Sequence, residues 1–172
     1  SLRLISLGLL SRRRCSLLNI KFSKGNNMSG FSTYLDDKIL AHVFNGTAYN
    51  TPAKYWALFT SATGLTDNSP VKNEVTGEGY ARVKAENSSF TTPAASVVKN
   101  ANAIEFPVAI SNWGRVTHVA IMDAATGGNV LAWGAIRNPQ TLDERPRDVD
   151  AGDQFIIRAQ TSSIRITDST TV

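Results

Sequence analysis

Two histidines, one cysteine and three tryptophans bound the chemistry open to this 172-residue chain. His42 and His118 show no HxH or HxxxH spacing, the pattern by which two ring nitrogens share a metal. Each reads as a structural histidine, one on a helix and one in a strand. Asp148-Val149-Asp150-Ala151-Gly152-Asp153 is superficially a calcium loop. It lacks the regular DxDxDG spacing and the distal bidentate Glu, and Arg145 and Arg147 stand beside it. A turn leading into a strand explains it. Asp143, Glu144, Arg145, Arg147 and Asp148 form a mixed-charge loop and not a paired acid and base. There is no Gly-x-Ser-x-Gly elbow and no glycine-rich loop ending in Lys-Ser or Lys-Thr. The Asn45-Gly46-Thr47 and Asn87-Ser88-Ser89 sequons have no secretion signal to give them meaning. The chain reads as a non-enzyme with no metal and no cofactor.

The net charge of +4 is not a property of the whole chain. Residues 1–27 hold six Lys and Arg and no acid, which leaves twelve bases against fourteen acids beyond them. The remainder is therefore at −2. A nucleic-acid binder concentrates Lys and Arg on its folded domain, so no nucleic-acid partner is expected. The apolar run Leu2 to Leu10 is broken by Arg3 and falls far short of the ~20 residues that span a membrane. The Arg12-Arg13-Arg14 triplet follows that run, the reverse of signal-peptide order. Met28 opens a clean domain start, and Lys24-Gly25 can be encoded by a purine run like that of a ribosome-binding site. Residues 1–27 thus read as a basic leader, upstream translation or a disordered tail, and 28–172 as a single domain. Cys15 lies in the leader, so the domain has no disulfide to lean on.

The domain reads as mainly β. Ser32 or Thr33 can cap a helix whose first turn carries Asp36 and Asp37. Leu35, Ile39, Leu40 and Val43 then recur on one face, and Asn45-Gly46 supplies the stop. This short amphipathic helix spans 33–44. Lys54 to Thr60 reads as a buried strand, and 61–78 as a long surface loop. Gly79 to Lys84 alternates like a half-exposed strand, with Arg82 and Lys84 outward. Phe90 to Pro93 and Ala103 to Pro107 suggest short marginal strands. Val116 to Ile136 reads as a hairpin turning at Gly127-Gly128. Gln154 to Ala159 and Ser163 to Thr167 close the chain with two more strands. Turns at such regular spacing imply an antiparallel β-sandwich.

Six segments in order carry a family resemblance. They are Tyr55 to Thr60, Gly77 to Arg82, Ile104 to Pro107, Trp113 to Asp123, Gly127 to Gly134 and Val149 to Asp153. The series, from about Met28 to Ile166, resembles small bacteriophage and prophage proteins described as tail-fibre or minor tail proteins. The resemblance implies a virion structural protein of the tail, made in the bacterial host cytoplasm. It implies no mechanism.

Trp56 and Trp133 sit inside apolar runs and read as core, with Trp113 the least settled of the three. The expected role is assembly, by self-association or with other phage tail proteins, through Phe31, Leu35, Ile39 and their helix. The alternative is a module for host-surface glycan, with Trp113, Tyr49 and the 61–78 loop as contacts.

Overall fold

The computed structural model describes residues 20–22, 29–68, 73–138 and 140–166. Residues 1–19 and 23–28, most of the leader and Met28, lie outside the described residues. The described part is mainly β with antiparallel pairing and one α-helix.

The β-hairpin of β8 (His118–Met122) and β9 (Val130–Ala135) forms as its residue pattern requires. Asp123 builds the turn: its N–H donates to Asn129 O (3.0 Å), and its Oδ1 accepts from Asn129 N (2.6 Å). Its Oδ2 accepts from Asn129 Nδ2 at 2.8 Å. Gly128 is required here, since a Cβ would fall 2.4 Å from Asp123 Oδ1 on a backbone at φ +73°. Every residue of both strands is buried. A continuous apolar run of this kind is the mark of strands covered on both faces.

The hairpin is the middle of a five-stranded sheet in the order β2-β9-β8-β3-β4. β3 (Lys54–Phe59) pairs antiparallel with β8, Ala57 opposite Ala120, and with β4 (Val83–Ala85) on its other side. β2 (Ser29–Phe31) pairs with β9, Gly30 opposite Trp133. β1 (Ile20–Phe22), β12 (Ser162–Arg165) and β5 (Val97–Lys99) form a second sheet. There β1 runs parallel to β12. Two pairs complete the set: β6 (Ile104–Val108) with β11 (Gln154–Ile157), and β7 (Gly114–Val116) with β10 (Arg147–Val149). Pro107 has no N–H for a ladder, which suits β6, a strand with one partner among the described residues.

One core joins these sheets. It contains Trp56, Leu58 and Ile121 from the large sheet together with Phe106, Phe155, Val116 and Val149 from the small pairs. Phe106 meets Phe155 edge-on at 5.8 Å and stacks on Tyr80 at 6.4 Å. All three tryptophans are buried.

Three local expectations change. Phe90 to Pro93 forms no strand, and Phe90 makes only an isolated bridge with Asn100. The 61–78 stretch is not simply surface, because Leu65 and Val75 are fully buried within it. The strand expected from Gly79 begins only at Val83. Gly77 to Tyr80 instead wraps Trp113, whose Nε1 donates to Glu78 O at 3.0 Å while Tyr80 meets its ring edge-on. A Cβ on Gly77 would lie 2.2 Å from Trp113 Cδ1. Gly77→Ala is therefore expected to destabilise by about 1–3 kcal/mol through overpacking, read as a lower urea midpoint with unchanged slope. A wild-type midpoint would contradict this packing.

Candidate functional site

The helix α1 (Thr33–Phe44) occupies the span its periodicity predicts. Ser32 is its cap, accepting from Leu35 N at 3.3 Å. The same hydroxyl donates to Val130 O, and Ser32 N donates to Leu131 O at 3.2 Å. One serine thus ends β2, starts α1 and fixes both to β9. Thr33 N donates to Thr66 O at 2.9 Å, tying the helix start to the 61–68 loop. At the far end Asn45 N and Thr47 N both donate to Ala41 O (3.1 Å each). Gly46 at φ +68° lets the chain leave in a left-handed turn.

The helix turns only part of its apolar stripe to the core. Tyr34 and Leu35 pack against the core, and no residue of α1 is fully buried. Ile39, Leu40, Val43 and Phe44 stand 37, 53, 63 and 78% exposed. Spacings of three and four put these four on one face. Asp36 and Asp37 precede Leu40 by four and three positions and so head that face. Four large apolar side chains thus stand exposed together on one face of α1.

A polar scaffold holds the ground beneath. Asn68 donates through Nδ2 to Asn129 Oδ1 (2.9 Å) and accepts from Val130 N (2.7 Å). It therefore bolts the 61–68 loop, and with it the start of α1, to the hairpin turn. Tyr49 N donates to His42 Nδ1 at 3.3 Å. Burial pushes the Tyr49 phenol up, helped by the charges of Tyr34 and Asp123, so it stays protonated at any ordinary pH.

A second anchor closes the other edge. Arg82 reaches Glu74 in a two-point ion pair, Nε to Oε1 at 2.7 Å and Nη2 to Oε2 at 2.6 Å. Its Nη1 donates to Ala124 O and Gly127 O at 2.6 and 2.8 Å. Contrary to expectation, Arg82 points inward, its side chain 4% exposed, whereas Lys84 is outward. Charge at the middle of an alternating segment had suggested solvent. The carboxylate at Glu74 and the turn carbonyls supply the partners that make burial tolerable. Tyr80 completes the cluster, donating to Glu74 Oε1 (2.9 Å) and accepting from Leu58 N (3.0 Å). Burial, then the Glu74 charge, raises its pKa.

The residues singled out from sequence fall in different places. Leu35 is half-buried against the core and Ile39 lies on the outward face. Phe31, at the end of β2, is half-buried against the core. Tyr49 is half-buried behind α1, and Trp113 is buried with its N–H engaged. The structure does not bring Trp113 and Tyr49 to one surface. Sequence reasoning placed Leu40 on the helix face without singling it out and did not name Phe44, the most exposed of the four; its signal was the apolar pair Val43-Phe44 closing the helix just before Asn45. Within the 148–153 turn the Asp153 carboxylate accepts from Asp150 N at 3.1 Å.

Residues 30–165 match the family described as podophage GP4 fiber I protein gp80. The chain belongs to that family. This agrees with the resemblance carried by the six segments, and it makes the protein a phage fibre-type structural protein. No curated protein matches the chain. The family match contains α1, the hairpin and the Arg82 anchor, and begins after β1. No helix among the described residues is long and apolar enough to cross a membrane.

Two predictions follow from the anchors of this fibre-family fold. Arg82→Ala leaves Glu74 partly buried without its partner and should cost about 3–5 kcal/mol, measured by equilibrium urea unfolding. A cost under about 1 kcal/mol, the worth of a surface pair, would contradict the buried anchor. His118 is 5% exposed, and burial lowers its pKa from the ordinary 6.5 despite the nearby Glu144 charge. The unfolded chain then takes up a proton near 6.5 that the folded chain refuses. Stability is full above that pH and falls as pH drops below it. His118→Phe should flatten this slope between about pH 5 and 7; an unaltered slope would assign it to other groups.

Proposed function

We propose that this protein is a virion component of a phage tail fibre that works by protein–protein assembly and performs no catalysis. The single observation that carries the reading is the unpartnered apolar face of α1 on a chain of the fibre family. The fold holds that face open by fixing both ends of the helix: Ser32 at the start and Asn45-Gly46 at the end. A helix with its own apolar side half spent inside and half presented outside is built to be covered. Further support comes from the near-neutral charge of residues 28–172, which offers little repulsion to close packing.

Magnitudes set what this face can do alone. Burying its four large side chains recovers roughly 1.5 kcal/mol each, so about 6 kcal/mol. Association costs about 4–15 kcal/mol in lost freedom. The face therefore gives a weak contact by itself, and a repeating assembly or additional surface makes it stable. Self-association and contact with other tail proteins, in a phage or prophage particle, both fit. The large sheet and the smaller pairs sharing one core support a sandwich as the underlying architecture. For the glycan alternative no comparable surface supports Trp113 as a stacking platform, since its ring is enclosed by Gly77 and Tyr80.

The test is incorporation. Phage made with Leu40→Asp/Phe44→Asp should yield virions that lack the protein, while the purified variant keeps the wild-type melting temperature. Wild-type incorporation of the variant would remove α1 from the assembly. Binding of the wild-type protein to a glycan array, abolished by a change at Tyr49 and not at Leu40, would favour the sugar reading.

A further inference from the structure

The chain that leaves α1 carries a reactive pair. Of the thirteen asparagines in the sequence, Asn45 alone is followed by glycine. The backbone nitrogen after an asparagine can attack the side-chain amide, and a glycine at that position has no Cβ to hinder the approach. Every other asparagine precedes a residue that has one.

The fold leaves both reacting groups free. The helix end is closed on Ala41 O by Asn45 N and Thr47 N, and among the described residues Gly46 N has no acceptor. The Asn45 side chain likewise has no hydrogen-bond partner among the described residues. Asn45, Gly46 and Thr47 are all exposed, and a Cβ on Gly46 would meet nothing within 4 Å. Water reaches the pair, and the peptide between the two residues has room to turn. Elsewhere the amides are held. Asn68, Asn100 and Asn129 each engage both the oxygen and the nitrogen of the side chain. Exposed Asn87 accepts from Lys54 Nζ at 2.8 Å.

Asn45 stands at φ −107° and ψ −1°. Closing a ring needs rotation about its Cα–C bond, which brings Gly46 N round to Cγ. Asn45 N keeps its bond to Ala41 O through that rotation. What the rotation breaks is Thr47 N to Ala41 O, 3.1 Å, and the contact of Thr47 O with His42 Nδ1, 3.2 Å. Both belong to an exposed residue just past a helix end, where local opening costs least.

We propose that Asn45-Gly46 is a self-modification site whose only co-reactant is water. Gly46 N loses its proton to solvent base and bonds to Asn45 Cγ. The Cγ–Nδ2 bond breaks, and the amide nitrogen leaves as ammonia with a proton from water. Water then opens the five-membered succinimide at either carbonyl, which leaves aspartate or isoaspartate at position 45. The sum is amide plus water to acid plus ammonia, with nothing oxidised or reduced. Residue 45 directly follows Phe44, the most exposed large apolar side chain of α1. The new carboxylate falls at the C-terminal end of the helix, where the dipole opposes negative charge. Isoaspartate also adds a carbon to the backbone that forms the cap. The chemistry stands without the assembly reading; its consequence, that uncovered copies lose a sound contact face with age, rests on it.

The test follows the folded full chain in warm, mildly alkaline buffer by peptide mass, with fragmentation that separates isoaspartate from aspartate. The Asn45 peptide should gain one mass unit before any other asparagine peptide, with isoaspartate in excess, and faster as pH rises. In heavy-oxygen water the gain should be two units larger, because one oxygen comes from solvent. Asn45→Gln cannot close the five-membered ring, so it should abolish the gain at the wild-type melting temperature. Asn45 unchanged in the folded chain by the time the urea-unfolded chain has converted would overturn the proposal, since the helix end would then lock the pair. Earlier conversion at Asn87, or a gain that persists in Asn45→Gln, would overturn it too. None of these readouts depends on virion incorporation, so the assembly reading can fail separately.

Discussion

The constraint on which the rest depends is the complete burial of the β8–β9 hairpin. Strands that show no exposed residue from His118 to Met122 and from Val130 to Ala135 need cover on both faces. They also need partners along both edges. β3 and β2 provide the edges through backbone ladders. The cover comes from elements far apart in sequence, and polar pins hold them: Asn68 at the hairpin turn, Arg82 at the carbonyls of Ala124 and Gly127, and Ser32 at Val130. An unpaired backbone group in that core would cost about 1–3 kcal/mol. The pins are thus as much a requirement of the hairpin as the apolar packing is.

Function grows from the same arrangement. The residues that secure α1 are its first and those just past its last, so its middle and end are free to present apolar side chains. The core accepts Tyr34 and Leu35 and stops there. Ile39, Leu40, Val43 and Phe44 are left outside, whereas the apolar residues of α1 packed on the core, Tyr34 and Leu35, lie in its first turn. A fibre protein needs little more than such a surface, provided that contacts repeat.

How much of this was legible in the sequence differs by element. The helix span and the hairpin were plain, because each is set by local signals: a cap with acids after it, or two apolar runs around Gly-Gly. The family was legible from the order of six short segments. Arg82 was misread because a charge in an alternating segment says nothing about the carboxylate eight residues earlier, Glu74, that allows it to be buried. β5 was missed since Val97–Lys99 is too short to leave a period. The outward face of α1 was only half visible. Periodicity gives a stripe but not how far round the helix the core reaches, and that depends on where β2 and the 61–68 loop place the first turn. The parallel pairing of β1 with β12 joins ends of the chain that share no local signal at all.

The central claim is that the outward face of α1 is where this fibre-family protein meets the rest of the particle. A cryo-electron microscopy reconstruction of the virion at side-chain detail tests it most directly. The account predicts Leu40, Val43 and Phe44 packed against another protein chain of the fibre, with the β8–β9 hairpin unchanged. Those three side chains facing open solvent in the assembled virion, with contacts made by another surface of the domain, would contradict it.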